Sequence, residues 1–188
     1  MSDIIKSWAI PNLLASKQAN SITYNNFLPR APLPSFNNVF EIAAYLREKF
    51  TYKADPLLFD HYTHPQVAQW AMINNTWNIN GKALSFDCDD YATWANRCLA
   101  ATYGEGQTWM VNLIVNPAYF WSWPMNHVIC LLFNYQFNGS PWVAVIDTNG
   151  LNWFIQQGDW AKAIMAHFGK SYNVEYVYFE RVAYPFPD

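Results

Sequence analysis

Three side chains of different chemistry stand in order along the chain: the thiol of Cys88, the imidazole of His127 and the carboxylate of Asp147. A thiolate attacks an acyl carbon, an imidazole takes and returns the proton, and a carboxylate fixes the imidazole tautomer and stabilises its cation. Asp87 is a good N-cap, and Cys88, Ala92, Ala95 and Leu99 fall on one helical face, so a helix is predicted to begin at Cys88. There the sulfur faces backbone N–H groups without helical partners and the positive end of the dipole, which favours the thiolate. The same N–H groups suit the oxyanion of a tetrahedral intermediate. The flanking carboxylates of Asp87, Asp89 and Asp90 oppose a second negative charge, so a protonated histidine is required to balance the thiolate.

His127 is the best candidate for that partner. It heads a strand-like run, with Ile129, Leu131 and Phe133 on its face, and the next run carries Val143, Val145, Asp147 and Asn149 on one face. The turn between them contains Asn138-Gly139, a pair suited to a tight two-residue hairpin. Uninterrupted, that hairpin pairs Phe137 with Ser140, sets His127 opposite Gly150 and turns Asp147 to the wrong face. A longer turn or a bulge is needed to bring His127 opposite Asp147 or Asn149. Asp147 is preferred as the orienting group because a carboxylate also stabilises the imidazolium; Asn149 is the alternative.

The elements that must position these groups follow from periodicity. Residues 1–37, with Pro29, Pro32 and Pro34, read as an N-terminal arm, and residues 38–188 as one domain. Val39, Ile42, Ala43, Leu46 and Phe50 describe an amphipathic helix capped by Asn37 or Asn38, and a short helix is expected after His64-Pro65. The rest of 51–86 reads as loop. Strands are expected near 108–115, 127–134 and 142–147, then a helix from Asp159 to Phe168 stopped at Gly169, then a strand within 172–182. The class is α+β, with the cysteine helix packed on an antiparallel β meander.

The segment FDCDDYATWANRCLAA resembles the cysteine motif of transglutaminase-like cysteine peptidases, with MNHVICLLF resembling their histidine strand and WVAVIDTNG their aspartate strand. The order Cys, His, Asp is the family's, with His127 39 residues after Cys88 and Asp147 20 after His127. The resemblance covers roughly residues 38 to 150, and Phe86 stands where many members have glycine. It implies a papain-like α+β core, an acyl-enzyme thioester, and a peptide or protein substrate, with water as acceptor in peptidases and an amine in transglutaminases. FTYKADP resembles the family's lead-in, which implies that Tyr52 lies near the site as an oxyanion donor.

Simpler roles compete at several of these positions. Asp89 and Asp90 are first-turn carboxylates that complement the dipole; a calcium ion is the sharper alternative, but no loop spaces the six or more oxygens it needs. No other cofactor is expected. Asp60, His61 and His64 lack a convincing further zinc ligand, and Cys98 and Cys130 read as core thiols. The other function is a catalytically inactive version of the fold, serving as a structural or protein-binding subunit whose arm docks on a partner or a second copy.

Composition excludes other classes. The chain is 52% hydrophobic and 19% aromatic with 13% charged residues, against about 25% charged in typical soluble domains. A net charge of −3 offers no broad basic field for nucleic acid. The longest apolar run, Val128 to Phe133, has six residues, far from the roughly 20 of a membrane span. The first residues, MSDIIKSWAIPNLLASKQ, fail as a secretory signal, so the expectation is a chain cytoplasmic as synthesised.

Overall fold

A computed structural model describes residues 28–53, 62–79, 81–84, 86–117, 125–171, 174–182 and 186. Four helices and seven strands occupy them: α1 Val39–Lys49, α2 Pro65–Asn74, β1 Asn78–Ile79, β2 Lys82–Ala83, α3 Cys88–Tyr103, β3 Thr108–Pro117, β4 Met125–Phe137, β5 Ser140–Asp147, β6 Gly150–Gln156, α4 Trp160–Ser171 and β7 Val174–Val182. Five strands form one antiparallel sheet in the order β6-β5-β4-β3-β7. The fold is α+β, with helices on both faces of that sheet.

Both faces are buried, which is why the strands read as unbroken apolar runs such as VICLLF. On one face Val128, Cys130, Leu132, Ala144 and Ile146 share a core with Ala92, Ala95 and Leu99 of α3. On the other, Ile129, Leu131, Val143 and Val145 meet Ile164 and Phe168 of α4. Adjacent residues of one strand therefore belong to different cores, as strand alternation requires.

Helix starts follow local chemistry. Asn38 Oδ1 accepts from the amides of Phe40 and Glu41 at the head of α1, each at 3.0 Å. His64 caps α2 through Nδ1, which accepts from Gln66 N at 3.1 Å, with Pro65 at the first helical position. The described end of the arm lies on the domain: Ala31 N donates to Gln66 O at 2.9 Å, and Leu28, Leu33 and Phe36 pack against the core.

Two expectations need correction, and two further details emerge. The region before Cys88 is not all loop, since β1 and β2 pair through a turn containing Gly81, whose φ is +79°. α4 runs through Gly169 to Ser171, because one interior glycine costs only about 1 kcal/mol and the helix is held by Ile164 and Phe168 on the sheet. It begins at Trp160, after a 3₁₀ turn over Gln157–Asp159. β6 escaped notice because a bulge interrupts its alternation: Val145 pairs with Trp153 but Ile146 with Leu151, so Leu151 and Phe154 share the α3 side three residues apart.

Candidate active site

The tight hairpin and the bulge both occur. Phe137 pairs with Ser140 across Asn138 and Gly139, both at positive φ (50° and 74°). That is the register expected to separate His127 from Asp147, and near the turn it holds. Between Leu132↔Ala144 and Tyr135↔Trp142, however, β4 carries one residue more than β5, with Asn134 at φ 57°. Beyond this bulge Cys130 pairs with Ile146, and continuing the same register sets His127 opposite Asn149 and Ile129 opposite Asp147. The tight turn is thus compatible with a shared face for His127 and Asp147, because the bulge shifts the pairing by one.

His127 Nε2 stands 3.6 Å from Asp147 Oδ2, with both side chains largely buried. The other carboxylate oxygen, Oδ1, accepts from Asn149 N at 2.7 Å, an Asx turn that anchors Asp147 as β5 ends. Asn149 acts through its backbone, its own side chain being at an exposed residue. The imidazole packs against Phe168 of α4 at 5.6 Å between ring centroids.

Cys88 is the first residue of α3 and is partly buried. Its Sγ accepts from Val128 N at 3.5 Å, so the thiol touches the backbone of the residue next to His127. Three local devices place it there. Asp87 and Asp90 form a capping box, with Asp87 Oδ1 accepting from Asp89 N at 3.2 Å and Asp90 Oδ2 from Asp87 N at 3.3 Å. Asp90 Oδ1 accepts from Thr63 N, tying the helix start to the segment ahead of α2. Lys53 and Phe86 exchange two backbone hydrogen bonds of 2.8 Å, pinning the residues before Cys88. Phe86 is fully buried against Phe50 and Trp77.

That pairing sets Tyr52, itself 59% exposed, beside the strand-like approach to Cys88. The acidic group Asp87, Asp89 and Asp90 brings its ligand atoms within 4.8 Å of one another. Both Asp90 oxygens and Oδ1 of Asp87 accept backbone N–H groups at the helix start. His64 is similarly occupied as a cap, and desolvation with nearby Arg30 and Arg97 pushes it down to about 4. Asp60 and His61 lie outside the described residues.

The other thiols belong to the core. Burial, with the neighbouring Cys130, pushes Cys98 up well beyond the ordinary thiol range, and burial pushes Cys130 up to about 12 despite Asn96 Nδ2 at 3.8 Å. None of the three cysteines is in a disulfide. Two features had no signal in residue type: the Val128 amide, because any residue there supplies it, and Thr63 N as the donor to Asp90. Among the described residues no helix is long and apolar enough to cross a membrane. Compared with protein-family models, curated proteins and solved structures, the chain finds no match.

Proposed function

We propose that the chain is a thiol-dependent acyl-transfer enzyme of transglutaminase-like type, built on a papain-like core and acting on amides of peptides or proteins. The observation that carries this reading is the convergence at the head of β4: His127 Nε2 faces Asp147 Oδ2 at 3.6 Å while Cys88 Sγ accepts the adjacent Val128 amide at 3.5 Å. In the reaction Cys88 Sγ adds to the carbonyl carbon as its proton passes to His127. The Cys88 backbone amide and Tyr52 hydroxyl hold the oxyanion. The C–N bond then breaks, His127 gives its proton to the departing amine, and a thioester remains. Water releases the acid; an amine gives a new amide. Asp147 holds the ring and balances the imidazolium.

A catalytically inactive scaffold is the second reading, and one observation favours it. Strand alternation assigns His127 to the α4 side of the sheet with Ile129 and Leu131, whereas α3 packs on the side of Val128 and Cys130. In this reading the two faces keep the imidazole and the thiol apart. Intact-mass measurement after incubation with activated peptide esters and glutamine-containing peptides separates the readings. An acyl adduct on Cys88 that decays in water, and is absent from Cys88→Ala, is expected for the enzyme. An unmodified Cys88 throughout contradicts it.

A further inference from the structure

Asn112 of β3 is 5% exposed and has no part in the chemistry above. Its Oδ1 is enclosed and accepts no hydrogen bond. The backbone places it beside the nucleophile. Asn112 pairs directly with Val128 of β4, and residues so paired have Cα atoms about 4.5–5.5 Å apart and side chains on one face. Met110, the next residue of β3 on the same face, shares a core with Val128, Cys130 and Ala92 of α3, so Asn112 belongs to the α3 side of the sheet. Val128 N is the donor to Cys88 Sγ at 3.5 Å. A single residue of β4 thus stands between Asn112 and the thiol, on the face from which α3 presents Cys88.

Packing does not call for an amide here. Leucine has nearly the same size and would join this apolar core without leaving a buried acceptor that lacks a donor, which is destabilising until something supplies one. A peptide held for attack by Cys88 does so. The residue that contributes a scissile main-chain carbonyl carries its own N–H on the adjacent Cα, whereas a glutamine carboxamide has its backbone N–H at the far end of a methylene chain. We propose that Asn112 is a specificity residue: Oδ1 accepts the N–H of the residue whose carbonyl Cys88 attacks, so the acyl donor is a main-chain peptide carbonyl. The inference rests on the acyl-transfer reading and narrows its substrate. A site built to accept an N–H rejects the analogue without one, because its own buried oxygen is then left unpaired.

The test compares the p-nitrophenyl esters of N-acetylglycine and N-acetylsarcosine, which differ only in N–H against N–CH₃ beside the reacting carbonyl. In either case Cys88 Sγ bonds to the acyl carbon, the ester C–O bond breaks, and the thiol proton passes through His127 to the departing nitrophenolate. Nitrophenol release gives the acylation rate, peptide mass spectrometry locates the thioester, and N-acetylcysteine supplies the preference of an ordinary thiol. Wild type is expected to favour the glycine ester roughly tenfold more than N-acetylcysteine does. In Asn112→Leu, shown to be folded by its thermal melt, that excess should vanish, mainly through slower reaction of the glycine ester.

A folded Asn112→Leu that keeps the wild-type preference overturns the specificity role and leaves acyl transfer standing. A wild type that acylates Cys88 with no more preference than N-acetylcysteine overturns it as well, whether or not the variant folds, and so does faster acylation by a glutamine side-chain ester than by the glycine ester. Failure of every ester to acylate Cys88 lies at the earlier step and overturns both readings. If Asn112→Leu does not fold, Asn112→Ala removes the same acceptor: loss of the preference supports the role, and its survival overturns it.

Discussion

At Asp147 the two carboxylate oxygens have separate partners, and this sets what substitution does. Oδ1 accepts the Asn149 amide and Oδ2 faces His127. Asp147→Asn keeps an acceptor for the turn but removes the charge opposite the imidazolium, so the variant should melt close to wild type while Cys88 alkylation at pH 7 slows by about a hundredfold or more. Asn149→Ala keeps its amide and should alkylate within a factor of about two of wild type, whereas Asn149→Pro, lacking the N–H, should resemble Asp147→Asn. Rates by peptide mass spectrometry check all three. If Asn149→Ala proves the most damaging, the side chain matters and the backbone role is wrong. The types at 88, 127 and 147 were readable because their chemistry is rare and directional. The Asn149 contribution was not, since an amide donor leaves no mark in residue type.

Among the elements, the bulge in β4 decides whether histidine and aspartate share a face. Asn134, at φ 57°, holds it. Asparagine tolerates this left-handed conformation and a β-branched residue does not, so Asn134→Ile should cost about 1–2 kcal/mol in urea unfolding and Asn134→Gly much less. Deleting Asn134 removes the extra residue yet leaves Phe137↔Ser140 and Leu132↔Ala144 in their present registers, so Cys88 reactivity should survive deletion better than it survives Asn134→Ile. Equal losses in both would show that register is not what the bulge protects. The sequence made the tight turn and the need for a shift visible together, but not where the shift falls, because β4 is apolar on both faces and alternation gives no anchor. The same difficulty hid β6, whose bulge places Leu151 and Phe154 on one side. The start of α3, by contrast, was legible to the residue, since an aspartate cap and an acidic first turn are local signals.

For the whole molecule, His64 links parts distant in the chain: it caps α2, its ring meets Phe186 at 4.8 Å, and the positive charge of Arg30 in the described end of the arm bears on it. Its value of about 4 lies below the 6.5 of an unfolded histidine, so the unfolded chain binds the extra proton between those pH values. This contribution to stability is full above about pH 6.5 and is lost as pH falls toward 4. Melting temperature should therefore drop on acidification through this window, and His64→Asn, a cap without a proton to gain, should flatten that drop relative to wild type. Identical slopes would remove His64 from the account. The central claim is tested most directly by the pH profile of Cys88 alkylation in wild type and His127→Ala, with Cys98 and Cys130 as internal references. An imidazole-paired thiol predicts that Cys88 is labelled far faster than the other two below pH 7, and that His127→Ala abolishes this advantage. Labelling of Cys88 that simply follows an ordinary thiol near pH 8.5, unchanged in His127→Ala, would contradict it.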